Sequence, residues 1–361
     1  MTVIGVAGCM ALILTGFAVK NSIAGLADTQ FNEIMSYDAI VTLQSAPTYD
    51  EQQEYEAILD SHVEVDNHLY VLQEAYRVEK TGLSTQDVTV FVPENAEQLA
   101  DFVTLQERDV NVLHLLTDEG AIITEKLADL LDVSAGDEVV IVDDERMTYK
   151  IPIQAITENY TGHYIYMTRN HYETIFAQNA VPNSSLLSYQ GDEAWESDFA
   201  EEVMALNPVA LVTYMHTIDR AFSDTLESLD IITLVLILSA AALAFVVLYN
   251  LTNVNVSERI RELSTIKVLG FYNNEVSMYI YRETFILTSI GIAFGFAVGN
   301  VLATVLLKMV EVDFMLFPIT ILLSSYVWST FLTLLFSIVV MLIMHHKLKR
   351  IDMLEALQSV E

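Results

Sequence analysis

The residues able to do covalent or metal chemistry in this 361-residue chain are few and scattered. There is no Gly-Lys dipeptide anywhere, so the glycine-rich loop that cradles nucleotide phosphates beside a lysine is missing. No His-Glu-x-x-His occurs, and His62, His68, His114, His163, His171 and His216 lack the spacing of a metal-ligand set. Cys9 is the single cysteine; it lies in an apolar run, where a thiol makes a poor nucleophile, and alone it permits no intramolecular disulfide. Asp143-Asp144-Glu145 reads as a hairpin turn whose carboxylates stay wet rather than as a cation site. The residues thus assemble no catalytic or metal constellation, and the chain reads as a non-enzyme with no cofactor of its own.

One stretch does carry a functional pattern. From Val254 to Leu269, Val256, Ile260, Leu263 and Ile266 recur at helical spacing, while Ser257, Glu258, Arg261, Glu262 and Thr265 occupy the other faces. Gly270 supplies the stop. Such a helix either lies on the inner leaflet or docks into a cytoplasmic partner. A lipid-binding face is dominated by Lys and Arg, whereas the charge here is mixed, which favours the partner.

The elements that must position this stretch follow from composition. Hydrophobic residues make up 53% of the chain, yet its net charge is -32. The charges are partitioned: residues 21–228 hold 8 basic and 39 acidic side chains, residues 229–361 hold 8 and 10. An acidic, water-soluble block therefore sits between apolar segments. That excludes a single soluble enzyme domain, and the acidity excludes nucleic acid as a partner, because phosphate binding needs clustered Lys and Arg. A helix needs about 20 apolar residues to cross a bilayer core. Four uncharged runs qualify: Val3–Val19, Ile231–Tyr249, Thr284–Leu307 and Ile319–Met344. Pro318 stands where a helix start would place it.

Basic residues set the orientation. Arg259, Arg261, Lys267 and Arg282 lie between the second and third runs, and Lys347, Lys349 and Arg350 follow the fourth, whereas Lys308 alone lies near the third loop. Both termini are therefore expected in the cytoplasm and residues 21–228 outside. Val3–Val19 has no basic residue before it, so it is read as a retained helix rather than a cleaved signal. Val6-Ala7-Gly8-Cys9 looks like a lipoprotein box, but the apolar run continues well past Cys9. Met1 at the membrane edge without a basic flank points to a truncated product or the C-terminal part of a longer polytopic protein.

The expected fold is an α-helical membrane protein with four transmembrane helices and a large mixed α/β extracytoplasmic domain inserted between helices 1 and 2. Its divisions are helix 1 in 1–20, the acidic domain in 21–228, and a membrane domain in 229–361. Within the block, strands are expected at Ala39–Leu43, Val63–Val78, Asp87–Val92, Ala121–Thr124, Glu138–Val142, Tyr149–Ile156 and His163–Met167. Helices are expected at Tyr49–Ser61, Glu125–Leu131, Ala194–Leu206 and Asp219–Leu229, the last leading into the second span. Gly291, Gly295 and Gly299, four apart on one helix face, allow close approach of another helix, either within the chain or across a dimer seam.

The run from Ser257 to Gly270 resembles the cytoplasmic signature of the FtsX-like (MacB-like) ABC transporter permeases. There a basic-x-x-Glu core leads through a basic residue to Leu-Gly, as Arg259, Glu262, Lys267, Leu269 and Gly270 do here. Glu283, the three glycines, the basic tail Lys347–Arg350 and a short helix over Asp352–Leu357 also match the family pattern, and Gly120–Val142 is similar to its β-rich subdomain. The resemblance implies a cytoplasmic ABC ATPase that binds the ATP, membrane lipid as a partner, and a homodimer or a second permease unit. It implies substrates such as lipids, lipoproteins or peptides, or regulation of a wall enzyme, in the cell membrane of a Gram-positive bacterium. In that frame Ser257, Glu258, Arg259, Arg261, Glu262, Lys267, Leu269 and Gly270 would couple to the ATPase. The contrasting reading is a membrane-anchored receptor whose acidic domain binds a ligand without transport.

Overall fold

A computed structural model of the chain describes residues 2–44, 47–80, 82–108, 110, 112–258 and 273–349. Its elements, in chain order, are α1 (Thr2–Asp28), β1 (Ala39–Leu43), α2 (Tyr49–Ser61), β2 (Val65–Val78), β3 (Gln86–Pro93), β4 (Gln106–Glu107), β5 (Val112–Leu113), β6 (Ala121–Thr124), α3 (Glu125–Leu131), β7 (Glu138–Val142), β8 (Thr148–Thr157), β9 (Tyr164–Tyr166), α4 (Arg169–Phe176), β10 (Ser184–Tyr189), α5 (Glu193–Met204), β11 (Val209–Tyr214), α6 (Met215–Glu258), α7 (Asn273–Val310) and α8 (Leu323–Lys349). They form two compact units, one of residues 1–24, 226–310 and 319–361, the other of residues 25–225 together with 311–318.

The first unit is helical. Four segments are long and apolar enough to cross a membrane: Thr2–Ile34, Ile237–Val254, Arg282–Val310 and Leu323–Ile343. The most apolar window of the first is 56% buried, against 22–33% for the others, so α1 is the central helix against which the rest pack. Val6, Met10 and Ile13 of α1 share a core with Ala244 and Leu248 of α6, Ile292 of α7 and Val340 of α8.

The second unit is built on a nine-stranded mixed sheet in the order β11-β1-β10-β2-β3-β9-β6-β8-β7. Arg77 also bridges Val142, so the sheet curls until β2 meets β7. Most pairs are antiparallel; β3 with β9 and β6 with β8 are parallel. The alternation of β8 puts Ile151, Ile153 and Ala155 inside. With Val88, Val90, Ile123, Ile141, Tyr172 and Phe176 they fill the curled half. The other half packs α2 and α5 over β1, β10 and β11. α2 begins with a capping box between Thr48 and Glu51 and buries Tyr55 and Leu59, one turn apart. At the start of α5, Asp192 accepts the Trp195 N–H at 2.9 Å, and Phe199 and Val203 face inward.

Three boundaries differ from the sequence reading. α1 runs on to Asp28 and continues through a π-helical turn over Thr29–Ile34, beyond the expected end at residue 20. The fourth membrane helix begins at Leu323, not after Pro318, because the preceding chain is held by other bonds: the Thr320 N–H donates to Ser22 Oγ at 3.2 Å. Residues 311–318, read as a plain loop of the membrane domain, belong to the sheet unit.

Phe199 is fully buried with its ring stacked on Trp195 at 4.9 Å. Phe199→Ala should cost the full-length protein about 3–5 kcal/mol in urea unfolding, followed by Trp195 emission in a Trp328→Phe background.

Candidate functional site

Of the residues expected to couple to an ATPase, Ser257 and Glu258 close α6 and are exposed; the Ser257 hydroxyl donates to the Asn253 carbonyl at 2.8 Å. Arg259, Arg261, Glu262, Lys267, Leu269 and Gly270 lie outside the described residues, as does Asp352–Leu357. Glu283 is half-buried in the first turn of the span Arg282–Val310.

The three glycines face α1. A Cβ on Gly291 would come within 2.7 Å of Val6 Cβ, one on Gly295 within 2.6 Å of Met10 Cβ, and one on Gly299 within 3.2 Å of the Ala11 Cα. The close approach they permit is thus filled within the chain. The same bundle shows a feature the sequence reading passed over. Ser325, Ser329, Thr333 and Ser337 recur every four residues on α8, and all are buried. Ser329 and Thr333 donate back to the carbonyls four residues earlier, at 2.6 and 2.8 Å. Asn21 donates to Ser325 Oγ at 2.6 Å, and Thr333 reaches Met10 Sδ at 3.4 Å. The i, i+4 spacing of small hydroxyl residues was the signal available in the sequence.

A densely bonded polar site of the sheet unit is the loop Glu158–His163, which joins β8 to β9. Gln30, from the π-helical turn after α1, is fully buried; its amide donates to Asn159 Oδ1 at 3.0 Å, and its Oε1 accepts the Tyr160 N–H at 2.8 Å. Asn159 in turn donates to the carbonyls of Thr161 and Gly162 at 2.7 and 3.0 Å, shaping a bend in which Gly162 has φ +75°. Connector 311–318 then docks on the same bend. The Gly162 N–H donates to the Phe314 carbonyl at 2.9 Å, the Leu316 N–H donates to the Tyr160 carbonyl at 2.9 Å, and Thr161 bridges Met315.

Side chains secure both ends of the connector. Lys126 donates to Glu311 at 2.8 Å, each side chain only 12% exposed. Asp313 accepts from Ser84 at 2.6 Å and from Gln86 at 3.3 Å, bonds that hold its carboxyl below the usual range. Leu316 and Phe317 are buried. His163 is buried beside this segment with neither ring nitrogen hydrogen-bonded among the described residues. Desolvation pulls its pKa below the ordinary 6.5, reinforced by the charge of Lys126 and opposed by Asp313, which does not complete a bond to the ring.

A separate cavity of about 470 Å³ in the sheet unit is walled by Tyr37, Asp38, Tyr189, Glu196, His216 and Asp219 among others, with no Lys or Arg in the lining. Tyr189 donates to Glu196 at 2.7 Å, and Asp38 accepts the Tyr189 N–H at 2.9 Å. Its electrostatics suit a cationic group and repel an anion.

Residues 234–353, which take in the last three membrane spans, match the FtsX-like permease C-terminal family. Among solved structures, the periplasmic region of MacB from Actinobacillus actinomycetemcomitans is similar at 9% identity and TM-score 0.32, covering 53% of this chain and 94% of that one. The extracellular domain of YknZ, a noncanonic ABC-type transporter from Gram-positive bacteria, is similar at 14% identity and TM-score 0.30, covering 48% and 98%. No curated relative matches the chain.

Breaking a buried pair strands a charge, whereas replacing both partners does not. Lys126→Met alone should therefore destabilise the protein by about 3–5 kcal/mol, and Lys126→Met with Glu311→Met should recover most of that loss in a thermal or denaturant cycle. For His163, a base with a folded pKa below its unfolded value binds more protons when unfolded. Its contribution is complete above pH 6.5 and declines as pH falls from there toward the folded pKa. His163→Phe should flatten the fall in melting temperature between pH 7.5 and pH 5.5.

Proposed function

We infer that this chain is the membrane subunit of an ABC transporter. A separate cytoplasmic ATPase binds and hydrolyses ATP, and this subunit carries the resulting motion to its extracytoplasmic domain. The observation that carries the reading is the FtsX-like permease match over residues 234–353, which encloses the mixed-charge segment Ser257–Gly270. In this reading the segment is a coupling helix that faces the cytosol, a placement the Arg and Lys residues of the segment favour, and both chain termini are cytoplasmic. The permease itself is neither an enzyme nor the holder of a cofactor.

Two features of the fold support a mechanical role. α6 is one helix from Met215 to Glu258, so displacement at its cytoplasmic end travels along a hydrogen-bonded rod. The sheet unit also receives the chain four times, at residues 24/25, 225/226, 310/311 and 318/319. Movement of α7 and α8 therefore reaches the loop Glu158–His163 through the connector, and movement of α1 reaches it through Gln30. A change of shape in the domain then acts on a lipid, lipoprotein or peptide to export or extract it, or on a wall enzyme to regulate it, in a Gram-positive cell membrane. Membrane lipid and a second permease unit, in a homodimer or a larger assembly, complete the set of partners.

Arg261→Ala combined with Glu262→Ala should abolish co-purification of the ATPase from detergent-solubilised membranes while leaving the melting temperature of the permease unchanged. Undiminished recovery of the ATPase would sink the coupling role of this segment. Failure to recover any nucleotide-binding subunit with the unmodified chain would favour a receptor instead.

A further inference from the structure

The helical unit has an apolar groove between α7 and α8. Its volume is about 480 Å³, inside the roughly 300–1,000 Å³ of small-ligand sites. Met278, Arg282, Phe285 and Ile286 line it from α7, at the spacing of one helix face, and Ile338, Met341 and Leu342 line it from α8 at the same kind of spacing. Gly291 lies nine residues after Arg282, about two and a half helical turns, so the groove is on the side of α7 opposite the glycine packed on α1. Phe285, Ile286, Ile338 and Leu342 are 51–64% exposed.

One cation interrupts this apolar lining. Arg282 is the only charged lining residue among the described residues, and no Asp or Glu joins it. It is exposed and has no ion pair among the described residues. Span length gives its depth. Arg282–Val310 is 29 residues long, about 42 Å at 1.5 Å per residue, whereas a bilayer core is roughly 30 Å and the whole bilayer roughly 40–45 Å. Arg282, the first residue of the span, therefore sits among headgroups, while Phe285 and Ile286 reach into the hydrocarbon. Met341 and Leu342 stand at the end of the span Leu323–Ile343, so two spans share this boundary at the groove. A guanidinium at headgroup depth, beside a trough of hydrocarbon side chains, matches an amphiphile with an anionic head, and the planar fork of Arg suits a phosphate in particular.

We propose that this groove is a binding site for one anionic phospholipid, whose phosphate pairs with Arg282 and whose acyl chain lies along Phe285, Ile286, Ile338 and Leu342. Lipid that merely surrounds a span is exchanged without regard to its head. Here the lone cation selects the head, and the concave seam between two helices holds the chain. The inference rests on α7 and α8 spanning the membrane and not on an ATPase partner, so its failure would leave the transporter reading untouched.

Native mass spectrometry of the full-length protein in an uncharged detergent, with equimolar phosphatidylglycerol and phosphatidylcholine added, tests it. The unmodified chain should retain one phosphatidylglycerol in clear preference to phosphatidylcholine. Arg282→Gln should lower that retention about tenfold, the loss of one charge-assisted contact, and Arg282→Lys should restore part of it. Ile338→Trp, which fills the groove and keeps the cation, should lower retention of both lipids. Far-UV circular dichroism and size-exclusion profiles matching the unmodified chain keep these losses separate from misfolding. Equal retention of the two lipids by the unmodified chain, or undiminished phosphatidylglycerol on Arg282→Gln, would overturn the proposal. So would displacement of the lipid by millimolar glycerol 3-phosphate, which would reduce the site to a free-phosphate site, or a lipid-free dimer, which would assign the groove to a second copy of the chain.

Discussion

A polypeptide that leaves the bilayer must satisfy the backbone groups that the next fold buries, and one bend takes up that demand for two of the entering segments. The loop Glu158–His163 gives the Tyr160 N–H to Gln30, its Tyr160 carbonyl to Leu316, and its Gly162 N–H to Phe314. Gln30 comes from the turn after α1, and Leu316 and Phe314 from the connector, so the bend works as a keystone for two segments distant in sequence. Removing any one would leave buried donors or acceptors without water. That cost keeps the segments registered against one another more firmly than packing alone.

The fold was legible in the sequence where local signals agreed. Tyr49–Ser61 carried its cap, its acidic first turn and its buried pair, and Glu138–Val142 its alternation and the glycine turn before it. β10 and β11 escaped notice because Ser184, Ser185 and Ser188 dilute the β signal of one, and the other follows directly on the Asn207-Pro208 turn. Both strands exist because β1 offers them an edge on each side, a long-range cause that no window of residues displays. The helix α4 was likewise unread: eight polar-rich residues hold their shape through Thr168, whose hydroxyl caps His171, and through Tyr172 and Phe176 buried in the curled sheet.

The candidate site was less legible for a related reason. In the helical unit the available signals were four-residue repeats, of glycine on α7, which the sequence reading used, and of hydroxyl residues on α8, which it passed over; only the structure assigns α1 as the partner of the glycines. In the sheet unit the connector's contacts depend on Glu311 meeting Lys126 and Asp313 meeting Ser84, 185 and 229 residues apart, and the sequence there displays only a short, mixed loop between spans. Pro318 misled in the same way. Its neighbour Phe317 is buried in the sheet unit, and the helix waits until Leu323.

The connector also imposes an order on biogenesis. Residues 311–318 leave the ribosome after every strand of the sheet and after α6 and α7, yet they complete the domain's bonding at its keystone bend. The sheet unit's bonding is therefore complete only after α6 and α7 have been synthesised. Without the connector in place, Lys126 would lack Glu311 and Leu316 would lose its burial. The last-synthesised stretch of the sheet unit is thus the one that closes its buried bonding.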